Sequence, residues 1–194
     1  MGKRTQMRST VVVPCVAGAY QAGDEISSSQ TAGSVVRPTW DLSGFTRGRI
    51  LSAKIDLTAA SGNVVTTASD MELLIFRTSD VPAAVGDNVT HPISAATRAL
   101  AVAAFRFDDT GWTGPLGTVA AGTSQAQAVG AHYVTPLATP GLQTLFPAGF
   151  YFDFTGQPLT ATGRQFTAVL RALAAWTPLA VNNTFGITLD LELE

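Results

Sequence analysis

The chain has 194 residues, 46% hydrophobic and only 13% charged, with 12 basic and 14 acidic side chains and a formal net charge of −2. A single domain of this length buries roughly 70% of the surface its unfolded chain exposes, so it needs no staples, and the lone cysteine, Cys15, rules out an intramolecular disulfide and any multi-cysteine metal site. Balanced charge leaves no global field for nucleic acid or an anionic membrane, and a charged fraction about half the usual one predicts that other subunits cover part of the surface.

Lys3, Arg4 and Arg8 read as a short, extended, basic N-terminal arm over residues 1–9, ahead of one β-sandwich domain over residues 10–194. The apolar run from Val11 to Val16 is too short for the core of a secretion signal, and no stretch approaches the ~18 apolar residues of a membrane span. With one cysteine, this pattern fits assembly in a reducing cytoplasm. Thr10 to Val16 is the first candidate strand. Arg49 to Leu57 alternates, with Leu51, Ala53, Ile55 and Leu57 on the face expected to be buried. Ser61-Gly62-Asn63 has turn chemistry, and Met71 to Phe76, apolar on both faces apart from Glu72, suits a short central strand.

Leu100 to Phe107 and Ala126 to Val134 are further strand candidates. Gln165 to Trp176 alternates too, although its Ala and Leu content leaves a helix open; Gly163 and Pro178 bracket a strand-like length. From Phe185 to Glu194, Phe185, Ile187, Leu189, Leu191 and Leu193 alternate with polar residues or glycine, the pattern of a strand with one buried face. With 18 glycines and 10 prolines spread between these segments, the chain reads as an all-β, jelly-roll-like sandwich with many turns and no linker.

Chemistry-bearing constellations are missing from the sequence. His91 precedes a proline in a polar loop and His132 adjoins Tyr133; neither has a ligand partner at a motif spacing, so both read as structural or surface residues. The adjacent pairs Asp24-Glu25 and Asp108-Asp109 would point to opposite faces on a strand. Asp108-Asp109-Thr110-Gly111 reads as a turn, with calcium binding the sharper alternative. No nucleophile elbow, phosphate loop or dinucleotide fingerprint occurs, and Cys15 has no basic neighbour to activate it. The expectation is a chain that is not an enzyme and carries no cofactor or metal. Trp112, in Gly111-Trp112-Thr113-Gly114-Pro115, is a candidate contact residue, equally compatible with folding back on its own domain.

The order Ala22-Gly23-Asp24, Gly48-Arg49-Ile50-Leu51, Glu72-Leu73-Leu74-Ile75-Phe76, Pro82, Gly86-Asp87-Asn88, Phe105-Arg106-Phe107 and Gly149-Phe150-Tyr151-Phe152, through to the closing strand, resembles the small virion proteins of tailed phages regarded as head decoration or capsid-stabilising proteins. The resemblance implies a β-sandwich subunit attached in many copies to the outside of an icosahedral shell. Its partners would be the major capsid protein and copies of itself, with a trimer among the arrangements allowed. Lys3, Arg4, Arg8 and Trp112 are the candidate capsid or subunit contacts. A tail, connector or fibre-base component is the alternative within the virion. A carbohydrate-binding jelly roll using Trp112 and Asp108-Asp109 is the alternative outside it.

Overall fold

The computed structural model describes residues 2–13, 19–59, 70–107, 127–134, 149–158, 163–177 and 183–194. Within them the chain forms β1 (Lys3–Val13), β2 (Thr39–Asp41), β3 (Arg47–Ala59), β4 (Met71–Arg77), a short helix α1 (Ala95–Ala99), β5 (Ala103–Phe107), β6 (Gln127–Val134), β7 (Phe150–Asp153), β8 (Gln165–Ala172) and β9 (Asn183–Leu193). Two antiparallel sheets result. One runs β1-β9-β3-β6, with β7 also on β3, and the other runs β2-β8-β4-β5.

β6 and β7 fill one strand position. Val134 pairs with Ala53 and Phe150 with Ile50, so the two segments follow each other along the same side of β3. With them counted together the strands pair first with last, second with second-last, third with third-last and fourth with fifth, while β9 also pairs with β3 and β8 with β4. That is a long hairpin folded over on itself, the pairing order of a jelly roll. The expected all-β, jelly-roll-like sandwich is what the chain forms.

Alternation decides the inner faces. Ile50, Ala53, Ile55 and Leu57 of β3 and every odd residue of β9 from Phe185 to Leu193 are buried against Leu73, Ile75, Phe105, Phe107, Phe166 and Leu170 of the other sheet. Leu51 was expected in this row, but a register shift between Ile50 and Ser52 puts Ile50 inward and leaves Leu51 partly exposed. The shift lies where β3 passes from its β7 partner to its β6 partner. Gly149 enters β7 there at φ +90°, and a Cβ on it would stand 2.5 Å from the Ile50 carbonyl oxygen.

The outer faces differ. On the four-stranded sheet Leu74, Phe76, Ala104 and Val169 point outward and are roofed by Val81, Ile93 and Ala101 in a second small core. This roof is why β4 is apolar on both faces. Gln165–Ala172 is a strand, shorter than expected at its end, and the Leu100 end of the next candidate is instead the C-cap of α1. Residues 20–26 run beside the far end of β8, tied by Tyr20 N–H to Trp176 O at 2.7 Å and Ile26 N–H to Leu170 O at 2.8 Å.

The short extended basic arm read over residues 1–9 does not stand apart from the sandwich, since residues 3–9 lie in β1. Lys3–Val13 is one continuous strand, paired residue by residue with Asn183–Leu193. Its inward positions Thr5, Met7 and Ser9 are only partly buried and Val11 and Val13 fully so, so backbone pairing more than apolar burial holds its first half.

Candidate functional site

Lys3, Arg4 and Arg8 lie on β1. The even residues of β1 and β9 and Arg49, Ser52, Lys54 and Asp56 of β3 form the outer face of the five-stranded sheet. One row across it reads Arg4, Glu192, Arg49, Tyr151, and another Thr10, Gly186, Asp56. Arg4 Nη2 stands 2.7 Å from Asp190 Oδ2, Arg8 Nη1 3.4 Å from Asp56 Oδ2, Lys54 Nζ 2.9 Å from Asp56 Oδ1, and Arg49 Nε 4.0 Å from Glu192 Oε2. The hydrogen bond that Arg4 donates to Asp190, with the carboxylate's charge, raises the Arg4 pKa above its ordinary value.

Asp190 and Asp56 are sunk beneath Arg4 and Arg8, whereas Glu192, 38% exposed, stands nearly as far out as Arg49 at 45%. Arg4 and Arg8 side chains are 71% and 53% exposed, against 14% for Asp190 and 12% for Asp56. An approaching surface therefore meets guanidinium groups first. Arg8 reaches Asp56 by lying over Gly186, where an added Cβ would strike its guanidinium. Because the end of a flexible side chain can move aside, Gly186→Ala is expected to shift stability by about 1 kcal/mol or less while abolishing the Arg8–Asp56 pair. Thermal unfolding of the variant, together with an Arg8→Ala, Asp56→Asn double-mutant cycle in the parent and in the variant, checks both parts.

The free edge of β1 is partly closed. The Trp40 indole N–H donates to the Met7 carbonyl at 3.1 Å, and the Thr39 N–H donates to Ser9 Oγ at 3.0 Å. A neighbouring strand could not pair along all of β1 without displacing β2.

A second polar assembly lies inside. Glu25 is buried, with Oε1 accepting from Arg37 Nε at 2.8 Å and Oε2 from Arg37 Nη2 at 2.9 Å and from His91 Nδ1–H at 2.8 Å. Burial would raise the Glu25 carboxyl, but the His91 and Arg37 hydrogen bonds, the Arg37 charge and the Val85 N–H outweigh it and hold the pKa at about 2. Beside it the Tyr20 hydroxyl donates to Asp87 Oδ1 at 2.6 Å, and Asp24 accepts from Gln21 N–H at 2.7 Å and Thr90 Oγ1 at 2.8 Å. On the roofed sheet Glu72 takes both Arg98 and Arg171, and burial lowers the Arg171 pKa while Glu72 opposes the shift. These groups fasten one segment to another.

Sequence spacing did not reveal the Glu25 cluster, whose partners lie 12 and 66 residues away. The only hints were a separate acidic pair, Asp24-Glu25, and a histidine, His91, without a motif. Asp24 and Glu25 are both buried, with separate partners. Trp40 and Trp176 are core residues, the latter stacked on Tyr20 at 5.3 Å. Trp112, Asp108, Asp109, Cys15 and the Ser61-Gly62-Asn63 turn lie outside the described residues, while His132 stands opposite Ile55 in the β3–β6 register. Among the described residues no group of three or more His, Cys, Asp or Glu side chains is placed to hold a metal ion, and no helix is long and apolar enough to cross a membrane.

Fold and surfaces together define a jelly-roll sandwich with a cation-topped outer face and buried ionic fasteners. No family model and no curated protein matches the chain. Among solved structures it is similar to a semi-empty virus-like particle of the giant freshwater prawn Macrobrachium rosenbergii nodavirus, at 12% identity and TM-score 0.33, over 100% of this chain and 93% of that one. It is also similar to a 60-mer BFDV capsid protein (12%, TM-score 0.36, 100% and 94%) and to turnip yellow mosaic virus (11%, TM-score 0.31, 100% and 82%). At these identities and TM-scores the likeness defines no family.

Proposed function

We propose that this chain is a structural subunit of a virus particle, and specifically a decoration protein bound in many copies to the outer surface of a tailed-phage shell. The observation that carries the reading is the complete jelly-roll pairing order, an architecture that viral capsid subunits use. The low charged fraction of 13% supports broad contacts with other subunits, and the sequence resemblance supports the outer surface. Added contacts that exist only on the assembled shell would stabilise it by mass action, and many weak ones act together. The partners are then the major capsid protein and copies of this chain, and the subunit is not an enzyme.

Cryo-electron microscopy of the particles is the test. Density in many copies over an existing shell is the expected result. A ring at a single vertex would make the chain a tail or connector part, and absence from particles would overturn the reading.

On this proposal Lys3, Arg4 and Arg8 are contacts made from a paired strand, Arg4 and Arg8 on its outer face and Lys3 at its end on the other. Replacing all three by alanine, which keeps β1 in place, is expected to release the protein from particles at moderate salt, because rim charges act through screened attraction. Full retention of this variant would remove those side chains from the contact. Trp112→Ala in the same assay tests the fourth candidate.

A further inference from the structure

Two adjoining segments, residues 27–37 and 82–91, go inside through polar groups alone. Neither carries a buried apolar side chain; Ser27, Asp87 and His91 are the side chains they bury. Apolar anchors stand where the segments end, Ile26 and Trp40 in the main core and Val81 and Ile93 against the small one. Between those anchors the fastening is by hydrogen bonds.

The segments continue the four-stranded sheet and close its edge. Residues 20–26 lie along β8, with Gly23 N–H donating to Ala172 O at 2.8 Å and Ala172 N–H to Asp24 O at 3.0 Å. Residues 87–91 lie along them in turn: His91 N–H donates to Gly23 O, Glu25 N–H to Val89 O and Asn88 N–H to Glu25 O, each at 2.9 Å. Asp87 N–H donates to Ser29 O at 2.7 Å, and a Cβ on Gly86, at φ +108°, would stand 2.5 Å from Gln30 O, so the two segments pack as one layer.

Buried carboxylates hold that layer down. Asp87 Oδ1 accepts from Ser27 N–H at 3.0 Å and from the Tyr20 hydroxyl. Among the described residues every partner of the Glu25 carboxylate is a donor, namely Arg37 Nε and Nη2, His91 Nδ1–H and, at 3.3 Å, Val85 N–H. A proton added to it would meet no acceptor. The other charged groups around Glu25 are directed elsewhere. Arg171 of β8 bridges to Glu25 through the backbone but points its guanidinium at Glu72 and the His91 carbonyl, and Asp24 turns to Gln21 N–H and Thr90 Oγ1.

We infer that residues 27–37 and 82–91 form a flap that opens as one unit ahead of the sandwich, with the Glu25 carboxylate as its latch and acid as its release. A layer without apolar burial has little to hold it once its buried acceptor is lost, whereas the sheets beneath keep the whole apolar core. Opening unpairs Gly23 O, Glu25 N–H and Ser29 O, and so uncovers a sheet edge that the closed flap keeps from other strands. The folded pKa of Glu25, about 2 against the ordinary 4.5, gives the direction: the latch holds fully above pH about 4.5 and weakens as pH falls toward about 2.

Native-state amide exchange of the full chain, read as protection factors against pH and low urea, tests the inference. Expected at neutral pH is protection of Ser27, Val36, Asp87 and Asn88 about ten-fold or more below that of the β3–β9 ladder. It should be nearly independent of urea, because little surface is exposed when the flap alone opens. Between about pH 6 and about pH 3 this protection should fall at least ~10-fold further, with the ladder still the slower to exchange. Glu25→Gln should show the low flap protection already at neutral pH and lose the acid dependence. Flap amides that match the ladder in protection and urea slope would make the two one cooperative unit and overturn the inference, as would flap protection unchanged by acid. A Glu25→Gln protein whose flap stays protected at neutral pH would equally remove Glu25 as the latch. The parent series decides alone should that variant fail to fold.

Discussion

Replacing Glu25 by glutamine is expected to cost about 3–5 kcal/mol, because it leaves the Arg37 guanidinium buried without its counter-charge. Surface ion pairs such as Arg8–Asp56 contribute about 0–1 kcal/mol by comparison. The Arg37 side chain is 8% exposed and Glu25 1%, so water cannot replace the lost partner, and the carbonyls of Pro82 and Ala83 can take only part of the charge. The same carboxylate makes stability depend on pH. Its folded pKa of about 2 lies below the ordinary 4.5, so the folded state favours the ionised form. That contribution, about 3 kcal/mol, is fully present above pH about 4.5 and is lost as pH falls toward about 2. Urea unfolding of the parent should steepen in its pH dependence across that window, and Glu25→Gln should lack this component. A variant as stable as the parent at neutral pH would mean that the pair only breaks even against its desolvation.

The consequence reaches beyond stability. Glu25 sits where residues 20–26 cross the end of β8, and its partners are Arg37, next to the exposed Val36, and His91, two residues after the exposed Val89. Weakening the cluster should loosen Val36 and Val89 before the sheets.

How far the sequence discloses this molecule depends on which force sets each element. β9 and most of β3 are visible because burial against the other sheet imposes apolar alternation, and β4 because the roof over Leu74 and Phe76 makes it apolar throughout. The first half of β1 is invisible for the opposite reason. Thr5, Met7 and Ser9 face inward at the sheet's rim, so the strand has no apolar period, and its eleven residues are placed by β9. β2 and β7 are too short to carry a period, at three and four residues. The exchange of Leu51 for Ile50 comes from one register shift that no alternation pattern records. The Glu25 cluster is a product of topology, since the loop bearing His91 meets residues 24–25 only after the hairpin has folded over. Lys3, Arg4 and Arg8 could be recognised as a basic group, but not that Asp190 and Asp56 would lie beneath the two arginines.

Phe152→Ala is the second large effect expected, at about 3–5 kcal/mol for an aromatic removed from a close-packed site. Phe152 is 2% exposed and meets Phe166 of β8 edge-on at 4.9 Å and Phe154 at 5.3 Å, so it joins the two sheets at the end of the sandwich. Among the described residues β7 pairs only with Arg47–Ile50, and its other inward residue, Phe150, packs edge-on against Phe105 at 5.7 Å. With half of that anchorage gone, four backbone pairings are too few to hold a strand against the entropy of releasing it. The loss should therefore be local first. Amide exchange is expected to accelerate at residues 150–153 and 47–50 under conditions where the β1–β9 ladder still exchanges slowly. If exchange instead accelerated uniformly across both sheets, β7 would belong to the same cooperative unit as β9, and the interruption between β6 and β7 would be one of connectivity alone.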